Sequence, residues 1–218
     1  MLLDSSMIWA ILFGFVWSTV ISHFGASILL HRYYCHKQFN VPVWFEVIGL
    51  ATLMLACIRT PIGWIASHRM HHAYSDTSKD PHSPTYKGKL QVLTTTWNIN
   101  TIPRRFCRDL FKNPRLLFCH HHWGKMFIAF WVFSIIISIF VGFEFLVAFA
   151  LIPFIHAKIG FGLLNTFGHK GNQPSNNMWL NMLIAGEGYH RNHHNDNKRI
   201  LLGKWDTGGR LANAIFKR

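Results

Sequence analysis

His31-Arg-Tyr-Tyr-Cys-His36, His68-Arg-Met-His71-His72 and His190-Arg-Asn-His193-His194 set eight imidazoles in three short clusters, and His169 adds a ninth. Neutral imidazole is a ligand for transition metals. His68, His71 and His72 stand at i, i+3 and i+4, which puts them on one face of a helix, and His190, His193 and His194 repeat that spacing. Asn165 and His169, four apart, would also share a face. His31 and His36 are five apart, so a regular α-helix would splay them by about 140°; bringing both to one metal calls for an unwound helix end or for two side chains that reach around one ion. Nine nitrogen donors suit two iron ions better than one zinc, which takes about four ligands and in structural sites usually includes thiolate. There is no HExxH to supply the general base of a zinc protease. The paired ExxH pattern of soluble di-iron bundles is also missing.

Carboxylates beside the clusters, Asp76, Asp80 and Glu187, are candidates to accept the second N–H of a ligating imidazole. The remaining histidines read as structural. His82 sits in the turn sequence Asp80-Pro81-His82-Ser83-Pro84. His23 and His156 fall inside apolar runs, and His120, His121 and His122 adjoin Trp123 at the edge of one.

The elements that must position these groups are apolar. Half of the 218 residues are hydrophobic, with 19 Phe and 9 Trp, concentrated in a few runs as in an integral membrane protein. The expected architecture is one all-α domain over 1–218. It has three spans (7–30, 126–142 and 144–164), an interfacial helix over 41–58, and a cytoplasmic helical cap from 59–125 and 165–218. The run 41–58 is short for a span and carries Glu46. Gly142 and Glu144 mark the turn of the hairpin. The net charge of +13 lies between and after the apolar runs, which fits the positive-inside rule and disfavours a nucleic-acid binder. Residues 101–125 hold six Lys and Arg against Asp109 alone, and the hairpin turn has none. All histidine clusters then fall on the cytoplasmic side. Cys35, Cys57, Cys107 and Cys119 form no CxxC and read as reduced thiols.

HRYYCH, HRMHH followed by YSDTSKDPHSP, and GEGYHRNHH resemble the three histidine boxes of membrane fatty acid desaturases. DPHSP and Asn165-Thr-Phe-Gly-His169 are similar to the stearoyl-CoA desaturase branch in particular. The likeness runs from about His31 to Asp206. It implies iron ligands at His31, His36, His68, His71, His72, His169, His190, His193 and His194, with Asn165 reaching iron through a water. It implies a four-span fold with a cytoplasmic cap, O2 as co-substrate, and an acyl-CoA or acyl-lipid substrate. The family has two spans before the first box, whereas the residues before His31 accommodate one. No cytochrome-like haem domain is fused, so electrons are expected from a separate donor, a b-type cytochrome or ferredoxin-like protein. The membrane would be a bacterial inner membrane or the endoplasmic reticulum.

A saturated acyl chain needs a narrow apolar tunnel, for which Trp44, Trp64, Trp131, Phe161 and Phe167 are candidates. Arg32, Lys37 and Arg69, inside the boxes, are weaker candidates for headgroup or donor contacts. The alternatives are a histidine-box hydroxylase or ketolase, separated from a desaturase by its oxygenated product, and a membrane metal-binding or transport protein. A transporter would want ligands along a path through the bilayer; here they fall at helix ends outside it.

Overall fold

The absence of Lys, Arg, Asp and Glu from Ser5 to Leu30 leaves nothing to interrupt an apolar helix, and α1 (Ser5–Ile21) forms there. In the computed structural model, which describes residues 4–56, 59–97, 99 and 101–216, this helix does not stop at its apolar end. It continues as a π-helical segment, Ser22–Cys35, so that one continuous rod runs over Ser5–Cys35. α2 (Val43–Ala56) follows, then α3 (Pro61–Tyr74) and the short α4 (Pro84–Lys87) and α5 (Lys89–Leu93). The long α6 (Pro114–Val141) turns at Gly142 into α7 (Phe143–Leu146), a π turn (Val147–Leu151) and α8 (Ile152–Phe167). α9 (Met178–Leu183), α10 (His190–Asn195) and α11 (Thr207–Phe216) complete the chain. No strand occurs among the described residues, only an isolated bridge between His169 and Pro174.

Local chemistry sets the helix starts. Pro61 and Pro114 occupy first turns, where a missing N–H costs nothing. Thr60 accepts from the Gly63 N–H, Asn113 from those of Arg115 and Leu116, and Asn177 from those of Trp179 and Leu180. Gly142 has φ 111°, a conformation that suits glycine and closes the hairpin where the sequence placed it.

Among the described residues, three helices, Ser5–Cys35, Pro114–Val141 and Phe143–Phe167, are long and apolar enough to cross a membrane. That is the expected three, where the family likeness implied four. Their bounds differ from expectation at the histidine-bearing ends. α6 begins at Pro114 rather than 126, because Asn113 and Pro114 start it there, so His120, His121 and His122 lie on the helix itself. Large side chains on α6 such as Ile128, Phe133, Ile139 and Phe140 stay exposed, as they would facing lipid. α1 crosses α8 closely at Gly14, where a Cβ would lie 2.8 Å from Ile152 Cβ.

α2 is a 14-residue apolar helix, and the end of the expected run, 57–58, lies outside the described residues. Its one charge is not left to the surface. Glu46 is buried, accepts from the Tyr34 hydroxyl and from Asn113 Nδ2 at 2.6 Å, and pairs with Arg115 Nε at 2.5 Å. That carboxylate joins α2 to the π segment and to the start of α6, beside a core built on Ile28, Leu29, Ile65 and Leu116.

Candidate metal centre

Four elements bring the histidines together: the end of the π segment, α3, the turn after α8, and α10. Donor nitrogens of His31, His36, His68, His72 and His193 all lie within 4.8 Å of one another, and so do those of His71, His169, His190 and His194. All nine expected histidines thus fall into a group of five and a group of four. Rings of the two groups touch, since His72 stacks on His194 with centroids 4.3 Å apart.

The helical triads divide between the groups. His68 and His72, at i and i+4, serve the first and His71 the second; His190 and His194 serve the second and His193 the first. Residues four apart nearly eclipse one another along a helix, whereas the third residue projects to the flank. Each triad therefore addresses both groups. His31 and His36 converge without an unwound end. In the π segment the His36 N–H donates to the His31 carbonyl at 3.2 Å, an i to i+5 bond that returns residue i+5 over residue i. Their ring centroids are 4.9 Å apart.

The donor geometry fits metal ions. Within the first group Nε2 atoms are 3.0 Å apart for His31 and His193, 2.8 Å for His193 and His72, 3.1 Å for His72 and His68, and 3.0 Å for His68 and His36. In the second they are 3.2 Å for His71 and His194, 3.2 Å for His194 and His190, and 2.9 Å for His190 and His169. Two nitrogens each about 2.1 Å from one ion and at a right angle are about 3.0 Å apart. Burial reinforces this chemistry by disfavouring charge on the rings. It holds His68, His71, His190 and His193 well below the ordinary value of 6.5, His72 at about 2 and His194 at about 3, with neighbouring imidazoles adding to the effect. The lone pairs stay free for a cation.

Each of the three flanking carboxylates meets an inward-facing ring from behind. Asp80 lies 2.9 Å from His71 Nδ1, Asp76 2.8 Å from His169 Nδ1, and Glu187 2.8 Å from His31 Nδ1. Asp80 also accepts from the backbone N–H groups of Asp76 and His82, but burial outweighs them and lifts its carboxyl to about 7. Burial also works against the Glu187 carboxylate, yet His31, Arg32 and the Ser27 hydroxyl, at 2.5 Å, bring it down to about 2.

Other expectations need correction. Arg32 makes no surface contact: it is fully buried, with its guanidinium 2.9 Å from Asp206 and 2.5 Å from the Ile200 carbonyl. Arg69 is held by Asp109 at 2.7 Å and by the Tyr34 carbonyl, while Lys37 stays exposed near Asp109. His82 does form a turn, but its ring is buried 4.3 Å from that of His71 and 5.8 Å from that of Trp97. Nothing near Asp206 in sequence marked it, because its partner Arg32 is 174 positions away. Lys158 falls inside the expected span 144–164, and its Nζ donates to Thr95 Oγ1 at 3.0 Å.

A cavity of about 1080 Å³, part of it open to solvent, ends at the centre. His31, His68, His190, Asn165 and Glu187 line one part, and Ser18, Ile21, Leu53 and Pro153 extend it between the long helices. Asn165 is buried, with Nδ2 donating to the Phe161 carbonyl at 2.7 Å. Trp64 and Phe161 border the cavity, and Trp64 stacks on His68 at 5.3 Å. Trp44 and Phe167 are exposed and Trp131 packs on Phe154, so these three do not line it.

Residues 7–196 match the family model of the fatty acid desaturases. The chain belongs to the fatty acid desaturase family. It is 32% identical over 197 residues to a sn-1 stearoyl-lipid 9-desaturase of Synechocystis sp., covering 83% of this chain and 59% of that protein. The sn-1 stearoyl-lipid 9-desaturase of Anabaena variabilis is 30% identical over 183 residues, 78% of this chain and 65% of the relative. An acyl-CoA C20 Delta5-desaturase of Anemone leveillei is 29% identical over 188 residues, 78% and 58% of the two chains. This desaturase-family chain therefore spans about six-tenths of the length of the relatives it matches.

Proposed function

We propose that the protein is a fatty acyl desaturase that converts a CH2–CH2 unit of a saturated acyl chain to CH=CH. The balance is one O2, two electrons and two protons consumed, and two waters formed. Two largely buried groups of imidazoles at the end of an apolar cavity support this reading best. Unactivated C–H bonds lie beyond side-chain acid–base chemistry, and iron, when bound, supplies an oxidant derived from O2. His31, His36, His68, His72 and His193 would hold one iron and His71, His169, His190 and His194 the other.

The protein's own part is positioning. Asp80 and Asp76 keep the proton on Nδ1 of His71 and His169, so that Nε2 carries the lone pair, and Glu187 stands behind the His31 ring. Trp64 fixes the plane of the His68 ring. Asn165, beside His31 and His190 on the cavity wall, is placed to hold a water toward one ion. The apolar walls select a hydrocarbon chain and exclude bulk water. The substrate class is acyl-lipid or acyl-CoA, the two kinds named among the relatives. Electrons come from a separate b-type cytochrome or ferredoxin-like protein, and the centre faces the cytoplasm of a bacterial or endoplasmic reticulum membrane.

Expression in a host lacking the activity, together with several donors and fatty-acid profiling by mass spectrometry, tests the proposal. A new unsaturated species is expected, and a hydroxylated or keto product would instead favour the related oxygenase reading. Purified protein should carry two irons per chain, and His71→Ala or His193→Ala should each lower that number. Stoichiometric zinc in protein produced with iron available would exclude the di-iron assignment.

A further inference from the structure

α9 turns its apolar residues outward. Trp179 is 79% and Met182 77% exposed, Met178 and Leu183 are exposed too, and Leu180 and Asn181 are buried behind them. Met178 with Met182, and Trp179 with Leu183, stand four apart and make one face. The stretch leading into it, Asn172-Gln-Pro-Ser-Asn-Asn177, is polar apart from Pro174, so the face is a local feature. A second exposed tryptophan is tied to the helix through its backbone. Asn181 Nδ2 donates to the Trp205 carbonyl at 2.7 Å, and Trp205 is 59% exposed. One tryptophan, two methionines and a leucine left outward on one helix face, with Trp205 exposed nearby in the cap, mark a contact surface.

The position of this face identifies what it contacts. His156 of α8 lies 3.1 Å from the Leu183 carbonyl through Nε2, and Ile184 fills the space in front of Gly160. α9 is therefore fastened to the side of Phe143–Phe167, a helix long and apolar enough to cross a membrane. On α8 itself Ile155 and Ile159, next to His156 and Gly160, are exposed, so the apolar surface passes from the long helix to α9. Cations flank it: Lys204 Nζ sits 5.3 Å above the Trp205 ring. Tryptophan, with an apolar ring and one N–H, favours the boundary between hydrocarbon and headgroups, and lysine favours the phosphates there.

We propose that α9 and Trp205 form an interfacial foot, which inserts into the lipid leaflet beside α8 and fixes the depth of the cap. This is a contact apart from the spanning helices and from α2. A second copy of the chain would be the competing occupant, but continuity with the exposed side of α8 favours lipid.

The test uses the full chain in bilayer nanodiscs of phosphatidylcholine, part of it carrying a photoactivatable diazirine high on the acyl chain. After irradiation, adducts are mapped by mass spectrometry. Lipid adducts are expected within 178–183 and at Trp205 as well as on α6. Adducts on α6 with none at 178–183 or Trp205 would overturn the proposal, and so would chain-to-chain cross-links through this face without lipid adducts. In a Trp179→Asp, Met182→Asp double variant, adducts at 178–183 should fall to background while those on α6 persist. Unchanged helicity and thermal midpoint would show that the variant still folds. Because no readout is enzymatic, failure of the foot and failure of the desaturase reading are separable.

Discussion

In the proposed centre the histidines bind through Nε2, and carboxylates stand behind three of the rings. Asp80 is the most enclosed of them, with His71 Nδ1 at 2.9 Å and no exposure to solvent. Asp80→Asn keeps the shape but removes the acceptor charge that fixes the His71 tautomer. Metal affinity of the four-histidine group should fall about 10–100-fold, with the five-histidine group much less affected; iron titration of metal-free protein separates the two. The same burial makes the metal-free protein acid-sensitive. His72 at about 2, His82 and His194 at about 3, and the further-lowered rings stay neutral when folded but take a proton near 6.5 when unfolded. The unfolded state binds more protons there, so stability is fully present above pH 6.5 and is lost as pH falls toward about 3. Glu187, lowered to about 2, adds a loss of the same sign beginning near its ordinary 4.5. Asp80, raised to about 7, acts in the opposite sense, but as one group against several. Thermal midpoints of metal-free protein in detergent between pH 8 and 4 should therefore decline on acidification; a flat or rising profile would contradict the burial of neutral rings.

Between elements, a single carboxylate on α2 meets Tyr34 in the π segment and Asn113 and Arg115 at the start of α6. Glu46→Ala leaves the buried Tyr34 hydroxyl without its acceptor, while Arg115, partly exposed, can turn to water. The expected cost is near the lower end of the range for breaking a buried pair, about 3 kcal/mol. Glu46→Gln, which retains an acceptor, should lose less; equal midpoints for Ala and wild type would show that the network carries no stability. Gly162→Ala probes a second junction, because its Cβ would lie 1.9 Å from the Leu93 carbonyl oxygen and would push α5 off α8. Overpacking of this kind costs about 1–3 kcal/mol, readable as a lowered thermal midpoint. These junctions show which features the sequence carried. The hairpin turn at Gly142 and the apolar runs were legible because glycine conformation and hydropathy are local properties. The two triads, His68 with His71 and His72 and His190 with His193 and His194, were legible because i, i+3, i+4 spacing is local too; His169 came only from the family resemblance, and the division into five and four, which cuts across both triads, was not legible. Nor was the π segment, since its i to i+5 bonds have no residue signature and α-helical arithmetic splays His31 from His36. Nor were the buried pairs of Arg32 with Asp206 and Glu46 with Arg115, which depend on partners 174 and 69 positions away.

Across the whole molecule, charge separates along the axis of the long helices. At one end Ser6 donates to Glu144 at 2.8 Å, joining the start of α1 to the hairpin turn, with Asp4 beside Ser6 and no Lys or Arg in 140–157. At the other end stand Arg104, Arg105, Arg108, Lys112 and Arg115, followed later by the Lys- and Arg-rich 190–216, and here the histidine groups assemble. Lys and Arg near span ends are retained on the cytoplasmic side. The proposed orientation puts Glu144 outside and both histidine groups inside, where the proposed separate electron donor would reach them. A membrane-impermeant maleimide tests this on intact bacterial cells that express the chain in their inner membrane. Cys35 and Cys119 are buried and unreactive by position, whereas Cys107 is partly exposed among the basic residues. Cys107 should therefore be modified only after the membrane is opened, in a chain carrying Cys57→Ser to remove the remaining native thiol. A chain with Cys57→Ser, Cys107→Ser and Glu144→Cys should be modified in intact cells. The reverse pattern would place the histidine groups outside, away from any cytoplasmic donor, and would overturn the proposed topology and electron supply together. Protection of both sites in intact and opened cells would instead mean that Glu144 lies within the bilayer, which its hydrogen bond to Ser6 at the helix ends opposes.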